Sequence, residues 1–466
     1  MADVDVSVVG TGVIGLATAL ELLDRGLTVA VVGPRRGDHA GQATRAAGAM
    51  LSTFSEVEPH HGSDRVRVET AERLAAHEMY PAWLDRLRTN TGATVHAGRG
   101  TWVLAAAGER PHLDAVARTA RAAGHPAEHH PPTAITAVSA PDTGAGALWL
   151  PTEAWLDSAT LMDALTTAVA DHRAATWHDR PARSVTHDGV LCADGTRIRA
   201  PRTVLAAGTA TPSLLPDAGH DLGIPPILAG RGASITLRRP RPGEPGHVVR
   251  TPNAAFACGV HLVPRADDTL YLGGTNRLTT RPDPDVPATL DELSVLIHGA
   301  RTRLDPALVF AHLLSTRVGL RPYTVDHLPL IGPTHDPRIV LATATYRCGI
   351  LLAPRIAHLI ADEITTPGTL DDHPYRANRP MPIPDLATIL DDGAGQALVE
   401  HLTQDGTTLP PHAARELAAF AVAGLRALAD HDSPHGRAIR RLWNTAPVIE
   451  AVPSLHALAR RLETTP

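Results

Sequence analysis

Along the first thirty residues the apolar and polar positions change period. Residues 4–9 are a short, valine-rich run of the kind that forms a buried strand, and it stops at Gly10-Thr11-Gly12-Val13-Ile14-Gly15. Behind the glycines, Leu16, Leu20 and Leu23 recur at three- and four-residue spacing, which is one apolar face of a helix. Gly26 ends that helix, and residues 28–32 form a second strand. The succession is a βαβ unit of about 30 residues.

Later segments carry the same signals. Residues 203–206 predict a short strand closing at Ala207-Gly208, after a turn at Ala193-Asp194-Gly195-Thr196. Apolar spacing predicts an amphipathic helix over 155–170 and a buried strand over 338–342. It also predicts a helix over 349–364, with Leu351, Leu352, Ile356, Leu359 and Ile360 on its apolar side. The character changes near 375. Pro380, Pro382 and Pro384 mark a linker, and helical spacing returns over 386–402, 413–429 and 455–462. This tail is expected to form a helical cap on the body or on a second subunit. No internal repeat is present.

Composition narrows the function classes. A chain of 466 residues exceeds one core, so two interleaved domains and an appendage are expected. Hydrophobic residues make up 43% and charged residues 20%, a balance that supports a packed interior rather than disorder. The net charge of −6 and the lack of a basic stripe interleaved with aromatics argue against a nucleic-acid partner. No basic segment precedes the first apolar run, and no stretch approaches the roughly 20 apolar residues of a membrane span. A soluble, cytoplasmic protein is therefore expected. Cys192, Cys258 and Cys348 are scattered without CxxC spacing, so neither a disulfide framework nor a zinc site is indicated. The pairs His60-His61 and His129-His130 lack an HExxH setting, and no metal is expected. The chain contains no lysine, which removes Schiff-base chemistry and any lysine-assisted use of oxygen.

The glycine turn is the first candidate for chemistry. In a strand–turn–helix setting, glycines allow a tight bend, close approach of a pyrophosphate to the backbone, and tight helix packing, while the helix N-terminus adds partial positive charge. The second strand ends at Gly33, where an acid usually accepts the ribose hydroxyls. With that contact missing, Gly33→Glu is expected to tighten cofactor binding unless Arg35 already compensates. Arg35 and Arg36 follow, and they read equally well as a 2′-phosphate site or a solvated basic turn. The motif alone does not separate FAD from NAD(P).

Five segments in fixed order, spread over residues 4–370, then converge on one pattern. They are Gly10 to Gly15; Thr44-Arg45-Ala46-Ala47-Gly48-Ala49-Met50-Leu51; the strand closing at Ala207-Gly208; and the hairpin from His261-Leu262-Val263-Pro264-Arg265 to Leu272-Gly273-Gly274-Thr275-Asn276. The fifth is Gly319-Leu320-Arg321-Pro322 with Asp326, Pro329-Leu330-Ile331-Gly332-Pro333 and Tyr346-Arg347-Cys348-Gly349-Ile350-Leu351-Leu352-Ala353-Pro354. The chain resembles the D-amino-acid-oxidase-like FAD-dependent oxidoreductases, and within them its pattern is most similar to glycine oxidase of the thiamine pathway.

The resemblance implies an α/β fold, a Rossmann-like FAD-binding domain interleaved with a mixed-sheet substrate domain, plus the C-terminal helical extension. The expected FAD-binding segments are 1–80, 150–222 and 316–372; the substrate segments are 81–149 and 223–315; the linker and extension are 373–466. FAD would lie along Gly10, Thr11, Gly12, Val13, Ile14 and Gly15, with Gly33, Pro34 and Arg35 near the ribose. Thr44, Arg45, Gly48, Ala49 and Met50 would run beside the pyrophosphate and ring, Ala182 would meet the adenine through its backbone, and Ala207 and Gly208 would also bind the cofactor. Thr345, Tyr346, Arg347, Cys348, Gly349, Ile350 and Leu351 would open a helix pointing at the flavin's pyrimidine end, where negative charge develops on reduction.

By the same resemblance, Arg321 would pair bidentately with a substrate carboxylate, a geometry that suits a planar guanidinium. Its structural alternative is an ion pair with Asp326 or a neighbour. Arg347 matches a second arginine beside the site. Two positions depart from the pattern. His261 replaces a tyrosine that helps hold the carboxylate, so it is expected as a donor that titrates near neutrality. Asn276 stands where relatives carry methionine or an oxygen-activating lysine. Arg45 and Gly319 occupy places where some relatives tether the flavin, so the FAD is expected to be non-covalent.

The implied reaction is hydride transfer from the α-carbon of an amino acid or N-substituted amino acid to flavin N5, giving an imine, with oxygen reduced to hydrogen peroxide. A small-molecule substrate, oxygen as acceptor and a homo-oligomer are the implied partners. Alternatives are a flavin dehydrogenase or oxidase acting on an N–N or N-hydroxy amino acid, and a non-catalytic FAD-binding subunit.

Overall fold

The computed structural model describes residues 3–35, 41–57, 63–106, 108–136, 138–139, 144–186, 188–215, 222–238, 246–253, 259–279, 282–324, 326–380, 423, 427, 430–433 and 436–437. Six strands form one sheet in the order Leu330–Pro333, Ile339–Thr343, Arg202–Leu205, Val6–Val9, Val29–Val32, Ala175–His178. All neighbours run parallel except the edge pair Leu330–Pro333 and Ile339–Thr343. Both faces of this sheet are covered, which is why its strands read as near-continuous valine runs.

Helices Val13–Asp24, Ser63–Thr91, Ser158–Ala170 and Gly349–Thr365 form a layer on one face, packing with Val6, Val8 and Val31. On the other face, an antiparallel meander of Ala182–Thr186, Gly189–Cys192 and Arg197–Arg199 presents Val185, Val190 and Ile198 to Val9, Val32 and Leu205. The expected helix over 349–364 is present as Gly349–Thr365. The helix expected over 155–170 begins later. Trp155 belongs to the strand Gly144–Leu156 and covers Gly98, where any Cβ would sit 2.4 Å from the indole. Asp157 then caps Ser158–Ala170 by accepting the Ala159 N–H at 2.8 Å.

The second sheet is mixed and eleven-stranded. Its order is Gly41–Gln42, His312–Tyr323, Leu228–Arg238, Leu270–Gly273, His261–Pro264, Val248–Arg250, Ala97–Ala106, Gly144–Leu156, Met50–Leu51 along the main path, with Arg277–Thr279 and Glu128–His130 pairing from the side. One short loop, residues 43–49, thus leaves the strand at one edge and enters the strand at the other. The expected segment boundaries at 80 and 149 fall inside the helix Ser63–Thr91 and the strand Gly144–Leu156. The tail stretches 386–402, 413–429 and 455–462 lie almost wholly outside the described residues. Among the described residues, no helix is long and apolar enough to cross a membrane.

Candidate active site

The C-terminal ends of Val6–Val9, Val29–Val32, Arg202–Leu205 and Ile339–Thr343 open on a cavity of about 510 Å³ that reaches the second sheet. From Val6–Val9 the chain adds strands first on one side, at Val29–Val32 and Ala175–His178, and then on the other, at Arg202–Leu205 and Ile339–Thr343, so the cavity sits where open α/β sheets bind ligands. The three glycines divide the labour that the motif requires. Gly10 has φ +114°, and a Cβ there would stand 2.4 Å from the Ala206 carbonyl oxygen. Gly15 faces the core, its Cβ position only 2.0 Å from the Gly10 carbonyl oxygen, and it does not line the cavity. Gly12 lines it with Thr11, Val13 and Ile14. The Val13 N–H donates to Thr44 Oγ1 at 3.3 Å, tying the helix start to the 43–49 loop.

Gly33 has φ +146°, and its Cβ position lies 3.0 Å from the Thr11 methyl. An acid at 33 is therefore strained, which reverses the expected gain from Gly33→Glu. Gly33 and Pro34 line the cavity, but Arg35 does not. The Arg35 N–H donates to Asp179 at 2.9 Å and its guanidinium lies 5.8 Å from the Trp177 ring, a basic turn engaged elsewhere. Arg36 lies outside the described residues. Across the cavity, Ala182, Ala207 and Gly208 form wall.

Thr44, Gly48, Ala49 and Met50 also line the cavity, whereas the half-buried Arg45 turns to an ion pair with the exposed Asp163 at 3.5 Å. The loop is pinned from the second sheet: Tyr271 Oη donates to the Ala46 carbonyl at 2.9 Å and Arg265 Nη2 to the Ala47 carbonyl at 2.8 Å. At the opposite wall the backbone takes left-handed values at Ala344 (φ 58°) and Tyr346 (φ 48°), and the Tyr346 N–H donates to the Pro322 carbonyl at 2.8 Å. Thr345, Tyr346, Arg347, Gly349 and Ile350 face the cavity; Cys348 and Leu351 turn from it. The Cys348 thiol faces a smaller space behind the turn, and burial pushes it up to about 11.

Helices Val13–Asp24 and Gly349–Thr365 both start at this cavity, and neither start is closed by the side chain of its N-cap residue. Two helix N-termini, a glycine cradle and an elongated volume fit a dinucleotide cofactor with its phosphates at one end.

At the second sheet the site becomes ionic. Arg321 lines the cavity, and its Nη1 donates to the Thr275 carbonyl at 2.9 Å and to Asn276 Oδ1 at 3.1 Å. Its plane lies over Gly232, whose Cβ position is 1.9 Å from Nη1. Asn276 is fully buried behind the arginine rather than on the cavity wall, and its Nδ2 donates to Tyr346 Oη at 2.6 Å. Asp326, the anticipated structural partner of Arg321, is instead taken by Arg379 at 2.8 and 2.9 Å.

Arg347 Nε lies 3.5 Å from Glu56, whose other oxygen lies 3.5 Å from Nη1 of the fully buried Arg250. Burial alone would raise the Glu56 carboxyl; Arg347, Arg250 and Arg73 outweigh it and hold the group below the usual carboxylate range. Arg250 also donates to Asn253 Oδ1 at 2.6 Å and to Ser52 and Ser55 hydroxyls.

His261 corrects the expectation of a neutral-range titrating donor. The ring is buried and stacked on Tyr271, and its Nδ1 lies 3.0 Å from the Gly259 carbonyl. Burial first, then the Arg250 charge, pushes its pKa down to about 3, so the imidazole is neutral at physiological pH. Glu56, Arg250, Tyr271 and Arg265 were not visible as site residues in the sequence. Each belongs to an ordinary-looking strand or loop, and the only hint is a charged or polar residue inside an apolar stretch, as in Leu270-Tyr271-Leu272.

A family profile described as FAD dependent oxidoreductase matches residues 5–363. The bifunctional protein ThiO/ThiG of Trichormus variabilis is 29% identical over 377 residues, covering 77% of this chain and 52% of that protein. The chain therefore spans about half the length of that relative and of two further ThiO/ThiG proteins. Glycine oxidase of Geobacillus kaustophilus is 27% identical over 390 residues, covering 79% of this chain and 94% of the enzyme. A crystal structure of glycine oxidase from the same species superposes with a TM-score of 0.70 at 25% identity, over 81% of this chain and 99% of the other.

Proposed function

This chain belongs to the FAD-dependent oxidoreductase family, and from that premise we propose that it oxidises an amino acid or N-substituted amino acid at the carbon bonded to nitrogen. Bound FAD supplies the hydride acceptor for that step. In this reading the six-stranded layer holds the cofactor and the eleven-stranded layer holds the substrate. Gly10, Gly12 and the two helix starts receive the phosphates and the electron-rich end of the ring, and Arg321 receives the substrate carboxylate.

The observation that carries the reading is the state of Arg321. Its plane is fixed by Thr275 and Asn276, the acid anticipated as its ion-pair partner, Asp326, is bound by Arg379, and its fork stands at a cavity wall, 3.4 Å from the Cβ position of Gly274. A guanidinium held by neutral partners beside a cofactor-sized cavity suits a bidentate carboxylate. Arg347 differs, because Glu56 already balances it; it contributes field rather than a second fork. The substrate loses a hydride and its nitrogen proton, leaves as an imine, and water converts that to a keto acid and an amine or ammonia. Oxygen takes the two electrons and becomes hydrogen peroxide.

A second reading, electron delivery to an acceptor other than oxygen, is favoured by the absence of lysine and by an asparagine buried behind Arg321. Arg45 is turned to Asp163 and Gly319 has no side chain, which supports a dissociable FAD. The test is to purify the protein, confirm that acid denaturation releases its flavin, and screen amino acids without oxygen for loss of the flavin colour. Bleaching by at least one amino acid supports the proposal; bleaching only by amines that lack an acidic group contradicts it.

A further inference from the structure

His261 stands where a carboxylate donor is expected, yet its hydrogen bonding makes it an acceptor. With the Gly259 oxygen 3.0 Å from Nδ1, the proton of the neutral ring belongs on Nδ1, and Nε2 carries the lone pair. The surroundings agree with a neutral ring: Arg250 and Arg321 disfavour a second proton, and Glu56 only partly offsets them. Stacking on Tyr271, with centroids 5.6 Å apart and planes at 21°, fixes where the lone pair points. Three positions without side chains keep it uncovered. Cβ atoms at Gly273, Gly48 and Gly274 would lie 2.8, 3.1 and 4.0 Å from Nε2. The Gly274 position is also 3.4 Å from both His261 Cε1 and Arg321 Nη2. The absent Gly274 side chain thus leaves a notch flanked by an acceptor on one side and a cationic donor on the other.

We propose that His261 Nε2 accepts an N–H hydrogen bond from the reacting nitrogen of the substrate while Arg321 holds its carboxylate, so that the site selects acids whose amine is primary or secondary. The inference rests on the carboxylate reading of Arg321. A neutral tertiary amine has no N–H to offer. An ether oxygen in the same place sets lone pair against lone pair. Because the ring takes up a proton only with difficulty, His261 positions the neutral amine and does not store its proton.

Three acids of nearly equal shape separate these interactions: N-methylglycine, methoxyacetate and butanoate, which place NH, O and CH2 at one position. Their affinities for the holoenzyme are read without oxygen, from the flavin spectrum or from the concentration dependence of bleaching. His261→Leu is expected to weaken N-methylglycine about tenfold, the size of a lost hydrogen bond, and to leave butanoate and methoxyacetate no weaker than before. His261→Gln offers both an acceptor and a donor, so N-methylglycine stays within about threefold of the parent and methoxyacetate tightens. Arg321→Ala weakens all three. If His261→Leu weakens N-methylglycine and butanoate alike, or if His261→Gln fails to tighten methoxyacetate, the inference is overturned while the Arg321 reading stands. If butanoate is indifferent to Arg321→Ala, the underlying reading fails first. Should His261→Leu lose its flavin, the His261→Gln series decides alone.

Discussion

The two ends of the cavity are built by different means. At the glycine turn the wall is backbone, and the requirement on sequence is mostly that side chains be absent: Gly10 and Gly15 leave no room for a Cβ, at 2.4 and 2.0 Å from carbonyl oxygens. At the second sheet the wall is made of side chains from distant segments. Arg347 and Arg250 hold the Glu56 carboxyl down, and Arg250 and Arg321 both disfavour a proton on His261. A backbone site tolerates almost no local change but is indifferent to remote ones; a charge cluster is sensitive to both, because its members come from distant segments.

The largest effect should come from the cluster. Glu56→Leu removes the carboxylate set between the buried Arg250 and Arg347, and should destabilise the protein by about 3–5 kcal/mol, read as a drop in unfolding temperature. Adding Arg250→Met should recover much of that loss; independent, additive losses would show that the two residues are not a unit. At the other end, Gly33→Glu should weaken FAD by about 1–3 kcal/mol, roughly five- to more than a hundredfold, because the left-handed backbone and the Thr11 methyl resist a side chain. Equal or tighter FAD binding would mean that this loop rearranges freely.

The pH response also separates the two ends. His261 is neutral when folded down to about 3 but takes a proton near its ordinary value of 6.5 when unfolded. Unfolding therefore binds a proton between those values, and stability falls as pH drops through that window by up to about 1.4 kcal/mol per unit. His261→Gln should flatten this acid limb in a stability–pH profile. The smallest effect is expected for Arg45→Ala, which breaks only a pair with the exposed Asp163 and should change FAD affinity by less than about 0.5 kcal/mol. A large loss there would place Arg45 against the cofactor after all.

The same contrast explains what was legible in the sequence. The βαβ unit, the glycine roles, the helix Gly349–Thr365 and the position of Arg321 could be read because each is set by local spacing or by a contiguous motif. Arg45 was misplaced because its neighbours Thr44 and Gly48 line the cavity while its own side chain leaves on the other side of the chain. Trp155 fits helical spacing, but its pairing opposite Gly98 across two strands made it part of a sheet. The state of His261 could not be read at all. Sequence supplies the ordinary imidazole value, whereas burial and a guanidinium from another strand set the actual one. Glu56 and Arg250 meet only because the chain returns to the same place in the fold after nearly two hundred residues.

Whether Arg321 receives a substrate carboxylate is decided by kcat/KM for an amino acid and its amide in the parent and in Arg321→Ala. The acid is expected to lose about 2–5 kcal/mol, roughly 30- to several-thousand-fold, with flavin content unchanged. The amide should react poorly with the parent and lose far less on mutation, and Arg321→Lys should recover only part of the acid's rate because an ammonium cannot form the fork. An Arg321→Ala enzyme that oxidises its best acid substrate at the parental rate would contradict the account.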